Sequence, residues 1–367
     1  MPIYMDRHDI PQDITAEHVA QMHQEDLKIE HLYGCKGMTY WCDEARKTAF
    51  CLIEAPNEYA IREMHQNAHG DVPHKIIEVN AGIVESFLGR IEDPNPLKSE
   101  EQLIKDSAFR IVMIAQTNQV LCTDEVKSKL RRTLHKNLDL TKETIKNYKG
   151  SVVNYDLYKC MASFTSVTQA VLCAITIHSN FKNLSKKVDY PLLELNIGLS
   201  TGDPVTNTPD LFEDTIKMTQ WLCEVIDGQI VVSPEVRYSY DKENKNDLNE
   251  NESVIALNPS EEKFLENLMR FTEELWNQTN LKVEDFCAHL CCSKAKFYRN
   301  MIALTGKSPN TFLKDYRLKR ALKMLSVQGG NVSQVAFDSG FNTPSYFSKC
   351  FQEAYGMSPS ACAKFFI

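Results

Sequence analysis

The sequence predicts two consecutive α+β domains followed by an all-α domain. Three observations carry this prediction. Apolar runs of strand length alternate with amphipathic helical stretches as far as residue 240, a strongly polar run follows, and from residue 260 onwards apolar residues recur at helical spacing. The predicted domains are 1–90, 102–240 and 260–367, with a polar linker at 241–259.

Two polar segments separate these domains. The segment 90–101 (RIEDPNPLKSEE) has two prolines and no apolar periodicity. The segment 241–253 (DKENKNDLNENES) consists almost wholly of Asn, Asp, Glu and Lys, which is too polar a composition to join a core. We interpret the second segment as an interdomain linker; the alternative is a single solvated loop.

Length and composition are those of a soluble globular protein. The chain has 367 residues, 43% of them hydrophobic and 25% charged, which is enough for two or three domains with cores of their own. No apolar run approaches the roughly 18 residues that span a bilayer, and the amino terminus has no signal-peptide pattern. The twelve cysteines are scattered without a CxxC pair. We therefore expect a cytoplasmic protein with free thiols.

Charge is distributed unevenly along the chain. The formal net charge is −8, but the segment 280–367 has 12 Lys and Arg against 5 Asp and Glu, a net of +7 that leaves −15 for the remainder. A basic end on an acidic body is typical of a nucleic-acid-binding domain attached to a regulatory portion.

Local helix signals agree throughout the carboxy-terminal domain. Ser293 is a good N-cap for the helix KAKFYRNMIAL, which Gly306 ends. Proline at the first helical position follows a cap at Ser308 and again at Thr343. Asn331 and the glutamine three residues later form a capping box. The aromatic and aliphatic positions that we assign to the core are Phe297, Leu304, Phe337, Phe341, Phe347 and Phe351.

Over 264–366 the sequence resembles the AraC-type transcriptional regulators. The residues that carry the resemblance are ALTGKSPNTFLKDYRLKRALKML, VSQVAFDSGFNTPSYFSKCF and YGMSPS. It implies a double helix-turn-helix domain whose two recognition helices, 293–301 and 343–351, enter successive major-groove segments of double-stranded DNA. The outward residues of these helices are Lys294, Ala295, Lys296, Tyr298, Arg299, Ser345, Tyr346, Ser348 and Lys349.

The outward residues suit different parts of DNA. Arg299 and Lys349 are long cationic donors for guanine or phosphate, and Ala295 suits a thymine methyl group. Ser345 and Ser348 can serve bases or phosphates. The alternative for the lysines is a solvated helix face, but the doubled pattern favours DNA contact.

Histidines cluster near the amino end. Seven of the ten lie in the first 74 residues, and these are His8, His18, His23, His31, His65, His69 and His74. His65 and His69 are four residues apart on a helix that ends at Gly70, which places both imidazoles on one face, where they can share a metal ion. His23 lies on an earlier helix with Asp26 one turn further on.

The segment 3–89 resembles a family of small ferredoxin-like proteins described as nickel-binding. The resemblance rests on YMDRHDIP, TAEHVAQMHQEDL, MTYWCDEARKTAFCLIEAP, MHQNAHG and IIEV. The positions that match the family's recurrent histidines are His8, His23, His65 and His69. Imidazole ligands suit nickel, zinc or copper, so the sequence does not choose the metal.

Alternatives to the metal site remain open. A pair of histidines is as often surface decoration as it is a ligand pair, and the nearby acidic residues (Asp6, Asp9, Glu25 and Asp26) are either a cation-attracting group or ordinary solvated surface. Cys35, Cys42 and Cys51 are further candidates, although Cys51 has the setting of a buried strand residue. The competing hypothesis is a small organic effector with structural histidines.

The middle segment has a β-α-β-β-α-β pattern with added elements, which again predicts a ferredoxin-like arrangement. The strings CMASFTSVTQAVLCAI, LNIGLSTGDPV, DLFEDTI and GQIVVSPEV resemble the class III nucleotide cyclase homology domain over most of 109–240. That resemblance implies pairing between two chains or halves. We therefore expect a coupling domain and a homodimer, and a vestigial effector pocket is a further possibility.

The residues needed for cyclase chemistry are missing. Where the first metal-binding carboxylate is expected the chain has IAQTN, and where the second is expected it has Tyr158. Lys217 and Trp221 replace the asparagine and arginine of the transition state. Asp156 and Asp203 remain, but at other positions. The prediction is a transcriptional regulator that responds to a transition metal, and an enzyme is the weaker alternative.

Overall fold

A computed structural model of the chain describes residues 1–94, 104–118, 124–186, 193–244, 248, 253–328 and 331–366. Within these residues no helix is both long and apolar enough to cross a membrane. The cysteines of the described part are free thiols.

The amino-terminal domain is a sheet with two helices on one face. Its elements are β1 (Ile3–Asp9), α1 (Ala16–Ile29), β2 (Lys36–Asp43), β3 (Thr48–Glu54), α2 (Glu58–Ala68), β4 (Lys75–Val79) and α3 (Ala81–Leu88). Four strands lie in the antiparallel order β2-β3-β1-β4. The prediction of a small α+β domain is confirmed for this segment, whose elements follow one another as β-α-β-β-α-β-α.

The middle domain has the same succession and adds strands at one edge. Its elements are β5 (Arg110–Thr117), α4 (Asp124–Asn147), β6 (Ser151–Tyr155), β7 (Lys159–Phe164), α5 (Val167–Ser185), β8 (Leu195–Gly202), α6 (Glu213–Val225), β9 (Ile230–Val232), α7 (Pro234–Asn244) and β10 (Val254–Ala256). The sheet order is β10-β9-β8-β5-β7-β6. The strands β9 and β10 pair in parallel beyond β8.

The linker segment differs in part from the sequence interpretation. Residues 241–244 complete α7, and residues 254–256 form β10, because Val254 and its neighbours pair with β9 and leave water. Of the polar segments, residues 95–101, 245–247 and 249–252 lie outside the described residues.

The carboxy-terminal domain is wholly helical, as predicted. Its helices are α8 (Pro259–Leu275), α9 (Val283–His289), α10 (Lys294–Thr305), α11 (Pro309–Gln328), α12 (Val332–Asp338), α13 (Pro344–Tyr355) and α14 (Pro359–Phe366). Two buried clusters divide it. One joins α8 to α10 with the start of α11, and the other joins the rest of α11 to α12, α13 and α14.

One residue assigned to this core is misplaced. Phe337 is 49% exposed, whereas the other assigned residues are buried. The buried face of α12 passes through Val335 and Ala336, so the next residue projects away from the cluster. The assignment of Phe337 to the core was therefore wrong.

The two sheets pack face to face. Alternate residues of the amino-terminal strands (Met5, Trp41, Phe50, Leu52 and Ile77) form one cluster with Val112, Ile114 and Met161 of the middle sheet. The remaining strand residues face α1 and α2. This arrangement buries both faces of the amino-terminal sheet, and it makes the first two domains one folding unit.

A buried arginine fastens α3 at this interface. Arg110, 4% exposed, donates to the carbonyl oxygens of Phe87 and Leu88 at the carboxyl end of α3. Burial lowers the pKa of Arg110 to about 10, which leaves it protonated at neutral pH. Its charge also complements the negative end of the helix dipole.

Helix α6 joins the middle domain to the helices of the carboxy-terminal domain. It lies directly on β8, where a side chain at Gly198 would place its Cβ 2.3 Å from the Thr219 carbonyl oxygen. Its other face, with Trp221, Leu222 and Val225, belongs to the cluster of α8, α9 and α10. The Trp221 indole also donates to Glu273 on α8 at 2.9 Å.

The shared core makes a testable prediction. Phe87 on α3 stacks on Phe212 at 4.7 Å between ring centroids, and both are buried. Replacing Phe87 with Ala removes this packing, and we expect a loss of about 3–5 kcal/mol in the free energy of unfolding. Denaturant titration followed by circular dichroism measures this loss. Tyr59→Ala, at an exposed position, is the control and should change stability by less than about 0.5 kcal/mol. Separate transitions for residues 1–90 and 104–244 would contradict a shared core.

Candidate metal centre and nucleic-acid interface

The candidate metal centre lies between the amino-terminal sheet and its two helices. Strand β1 presents Asp6 and His8 on the helix-facing side, α1 presents Asp26, and α2 presents His65. His69 follows directly as the residue that caps α2, before Gly70 with φ +81°. These side chains come from three elements that are distant in sequence, so the fold is needed to bring them together.

Three ligand atoms form a small triangle. The His65 Nδ1 atom lies 3.1 Å from Asp26 Oδ1 and 3.1 Å from His69 Nε2, and the Asp26 and His69 atoms are 3.3 Å apart. Ligand atoms about 2.1 Å from a common ion are separated by about 3.0 Å in octahedral geometry and about 3.4 Å in tetrahedral geometry. The triangle therefore has the dimensions of a metal-binding face.

A second group adjoins the first. Asp6, His8 and Cys51 place one ligand atom each within 4.8 Å of the others. The His8 Nε2 atom is 3.6 Å from Asp6 Oδ1, while its Nδ1 atom is 3.0 Å from Asp71 Oδ2. The Asp6 carboxylate also meets His65 Nε2 at 3.0 Å and accepts from the Cys51 amide. Asp6 thus connects the two groups.

Carboxylates keep the two buried imidazoles protonated. Burial by itself lowers the pKa of His8, but the Asp6 carboxylate raises it to about 9. Burial likewise opposes protonation of His65, and hydrogen bonding to Asp26 and Asp6 outweighs it, so the pKa reaches about 10. The pKa of Asp6 is lowered, since His8 and His65 outweigh the effect of its burial. At neutral pH this cluster holds charge pairs inside the domain.

The buried polar atoms and the donor types of the cluster suit a bound metal ion. Among the described residues, the buried atoms His8 Nε2 and Asp26 Oδ1 make no well-aligned hydrogen bond, although His8 Nε2 lies 3.6 Å from Asp6 Oδ1 and Asp26 Oδ1 lies 3.1 Å from His65 Nδ1. Buried polar atoms are rarely left unpaired, and each costs stability unless something binds it. The donors are imidazoles, carboxylates and one thiol, a set that suits nickel, zinc or copper. The contact between His8 and Asp71 resembles the carboxylate support that orients metal-bound histidines.

The structure brings together three of the four predicted histidines. His8, His65 and His69 lie in the cluster, whereas the His23 Nε2 atom is 3.1 Å from Asp93 Oδ2 and its ring lies beside Tyr40. The remaining amino-terminal histidines have other settings. His18 Nδ1 accepts from the Thr15 amide, His74 Nδ1 accepts from the Asp9 amide, and His31 is exposed.

Sequence reasoning did not assign Asp6 and Asp26 as ligands. Both are 4% exposed or less, which excludes ordinary solvated surface for these two. A signal was available for each: Asp6 is two residues before His8 on one strand face, and Asp26 is one turn after His23 on α1. The sequence could not show that the Asp26 side of α1 faces α2.

The predicted DNA-reading residues lie on two exposed helix faces. Ser293 caps α10 by accepting from the Lys296 amide, and Thr343 caps α13 by accepting from the Tyr346 amide. Seven of the nine predicted residues are exposed, while Tyr298 and Ser348 are half-buried. The opposite faces, through Phe297 and Phe347, are buried. Their contact with DNA stays a prediction.

Cations on these faces are available for a polyanion. Within the described part of the chain, Lys296, Arg299 and Lys349 form no ion pair, whereas Lys294 Nζ lies 2.9 Å from Glu284 Oε1. Exposed pairs of that kind contribute little to stability, so DNA can displace it. Gly340, with φ +78°, lets the second unit approach the end of α8, because a Cβ there would lie 2.9 Å from the Trp276 carbonyl oxygen.

The fold and the exposed helix faces define a protein with a helix-turn-helix domain at its carboxyl end and a cluster of candidate metal ligands in its amino-terminal domain. Residues 4–79 match the family model described as "Nickel responsive protein SCO4226-like", and residues 286–364 match the model described as "Helix-turn-helix domain". The chain therefore carries an SCO4226-like domain at its amino end and an AraC-type helix-turn-helix domain at its carboxyl end. The resemblance of the middle domain to nucleotide cyclases stays a prediction.

Similar proteins share parts of the chain. "Histidine kinase P4" of Formosa agariphila is 32% identical over 108 residues, which are 29% of this chain and 8% of that protein. "Uncharacterized HTH-type transcriptional regulator YidL" of Escherichia coli is 35% identical over 103 residues, 28% of this chain and 33% of that protein. The crystal structure of SCO4226 from Streptomyces coelicolor is 34% identical and covers 21% of this chain and 94% of that one, with a TM-score of 0.20. The chain thus spans a third or less of the two curated relatives.

Metal binding should release protons. Because the pKa values of His8 and His65 are raised to about 9 and about 10, both imidazoles are protonated at pH 7 in the metal-free protein. An ion must displace the proton on each imidazole that it binds, so its apparent affinity should rise about tenfold per pH unit for each proton displaced. Calorimetric titration with Ni²⁺ at pH 7 in buffers of different ionisation enthalpy measures the protons released. An affinity that does not change between pH 7 and pH 9 would contradict this.

Reading-face cations should dominate DNA affinity. Arg299→Ala and Lys349→Ala should each weaken binding to a duplex selected from a randomised pool by about 1–3 kcal/mol where the side chain reads a base. A phosphate contact would instead reduce the salt dependence by about one charge. Fluorescence anisotropy at several salt concentrations distinguishes the two. Lys263→Ala, an exposed lysine on α8, is the control, and equal losses in all three variants would exclude a specific role.

Proposed function

We propose that this protein is a sequence-specific transcriptional regulator that binds double-stranded DNA through its AraC-type domain and responds to a divalent transition metal ion. The observation that carries the regulatory part is the buried triangle of Asp26, His65 and His69, whose three ligand atoms lie 3.1 to 3.3 Å from one another. The exposed cations of α10 and α13 carry the DNA-binding part.

Nickel is the metal we propose first. The family description of residues 4–79 supports it, and the imidazole and carboxylate donors suit it. Zinc and copper satisfy the same donors, so the experiment compares all three. When bound, the ion supplies positive charge in place of the protons that the cluster holds.

The middle domain is proposed as a coupling domain without cyclase activity. The Asp156 carboxylate accepts from the amides of Tyr158 and Lys159 and so stabilises a turn. Asp203 pairs with Arg7 of the amino-terminal domain at 3.3 Å. These contacts support structural roles for both carboxylates. We further propose that the protein acts in the cytoplasm as a homodimer, as inferred from the sequence.

The mechanism is linkage between two sites. If the metal ion favours one arrangement of the linked domains, it changes DNA affinity by a factor that is typically about 5- to 150-fold. Reciprocity requires operator DNA to change metal affinity by the same factor. The cluster residues bind the ion and exclude water from it. The resulting change reaches the recognition helices through the cores that join the three domains.

The test combines metal titration with DNA binding. Calorimetry with Ni²⁺, Zn²⁺ and Cu²⁺ should show stoichiometric binding that is lost in His65→Ala/His69→Ala. The control removes two exposed histidines instead, in His31→Ala/His135→Ala, and should bind as the wild type does. DNA affinity is then measured with and without the metal that binds. Metal binding unaffected by the cluster variant, or DNA affinity unaffected by metal, would refute the metal-responsive function.

A further inference from the structure

Arg7 occupies a position between the metal cluster and the middle domain. It is the residue between Asp6 and His8 on β1, and because side chains alternate along a strand it projects from the opposite face. Asp6 and His8 face the helices, whereas Arg7 lies on the side of Met5, which packs against the middle domain. Arg7, at the interface between the two sheets, is thus bonded directly to Asp6 and to His8, which belong to the metal cluster.

Arg7 holds the loop that follows β8. Its Nη1 atom donates to the Val205 carbonyl oxygen at 3.1 Å and lies 3.3 Å from Asp203 Oδ2. Its Nε atom donates to Asp9 at 2.8 Å, which fixes the plane of the guanidinium. The Asp203 side chain is largely buried, and its Oδ1 atom has no hydrogen-bond partner in the described part of the chain.

The same loop leads into α6 and from there to the DNA-binding domain. The Thr206 hydroxyl donates to Asp214 Oδ2 at 2.7 Å, near the start of α6. The other oxygen of Asp214 lies 3.7 Å from Arg270 Nη2 on α8. Arg270 in turn lies over the Trp221 ring of α6. Polar contacts joined by the backbone of the loop 203–206 therefore connect β1 to the first helix of the carboxy-terminal domain.

We propose that Arg7 is the positioning residue that transmits occupancy of the metal cluster to the DNA-binding domain, through Asp203, Val205 and the loop into α6. The proposal rests on the metal-responsive function above and names how that site is coupled. Because Asp6 Oδ2 lies 3.0 Å from His65 Nε2, an ion bound to the triangle through His65 alters the contacts of Asp6, which directly precedes Arg7 on β1. Two polar contacts join Arg7 to this loop, and Val205 of the loop is buried in the core between the sheets, so a displacement of Arg7 is passed to packed residues that precede α6.

The structure supplies a matched control at the same interface. Arg46, on the turn between β2 and β3, lies 3.6 Å from Glu235 of α7 and stacks over Phe109. It also joins the amino-terminal domain to the middle domain by one guanidinium. In the described part of the chain it forms no hydrogen bond or ion pair with β1 or the loop 203–206, although its charge, like that of Arg7, favours the ionised form of Asp203. Loss of a generic interdomain arginine is therefore separable from loss of Arg7.

The experiment measures a coupling factor. For the full-length wild type, Arg7→Gln, Asp203→Asn, the double variant and Arg46→Gln, the dissociation constant of a duplex selected from a randomised pool is measured with and without saturating Ni²⁺. Calorimetry gives the Ni²⁺ affinity of each. We expect Arg7→Gln and Asp203→Asn to keep their Ni²⁺ affinity within about twofold and to lose most of the coupling factor, with no further loss in the double variant. Arg46→Gln should keep the wild-type factor, and Arg7→Lys should recover part of it.

Each outcome supports or overturns the coupling role of Arg7. Wild-type coupling in Arg7→Gln, or an equal loss in Arg46→Gln, would overturn the role of Arg7 while leaving the metal-responsive function intact. A coupling factor of one in the wild type itself would refute the proposed function, and this inference with it. If Arg7→Gln does not fold, the isosteric Asp203→Asn variant tests the same contact, and its thermal unfolding with Ni²⁺ reports whether the cluster is preserved.

Discussion

The rest of the structure depends on the burial of one apolar sheet face. On the middle sheet, Val112, Ile114 and Met161 project away from α4, α5 and α7, and the amino-terminal sheet covers them together with α3 and α6. Neither sheet could expose such a face to water at low cost, since each buried aliphatic side chain contributes about 1.5–3 kcal/mol. The first two domains are therefore held together by a common core, and a displacement of packed residues in one domain is transmitted to the other.

Charge is buried within this apolar frame at two places. At the cluster, Asp6 lies between His8 and His65, and the three stabilise one another because each is paired. At the interface, the buried Arg110 donates to backbone carbonyl oxygens, and the half-buried Arg7 pairs with Asp203. Removing one partner of a buried charge pair is strongly destabilising, because it leaves the other charge buried and uncompensated. Such a pair responds to a change of charge nearby, which an aliphatic contact would not do.

Helix α6 gives the carboxy-terminal helices their place. Its close approach to β8 at Gly198 fixes one side, and the cluster around Trp221 fixes the other. Polar contacts reinforce the joint, since Lys307 and Lys319 of the first helix-turn-helix unit reach Asp227 at 3.1 Å and 3.8 Å. The first recognition helix is thereby tied to the middle domain, while the second depends on α11.

Much of this was accessible from the sequence. Periodicity and capping residues predicted the order of the carboxy-terminal helices, because the helix starts at Ser293, Asn331 and Thr343 depend on neighbouring residues alone. The outward faces of α10 and α13 also follow from helical spacing. His65 and His69 were found for the same reason, since residues four apart share a helix face.

Only the tertiary structure decided which long-range partners meet. Asp26 and His23 share α1, yet one completes the triangle and the other turns to Asp93, and that choice depends on how α1 packs against α2 and the sheet. Phe337 is exposed because the cluster of the second unit is filled from Val335 and Ala336. Residues 254–256 became a strand because a free edge of β9 lay beside them. In each case the deciding contact joins residues far apart in sequence, which no local pattern records.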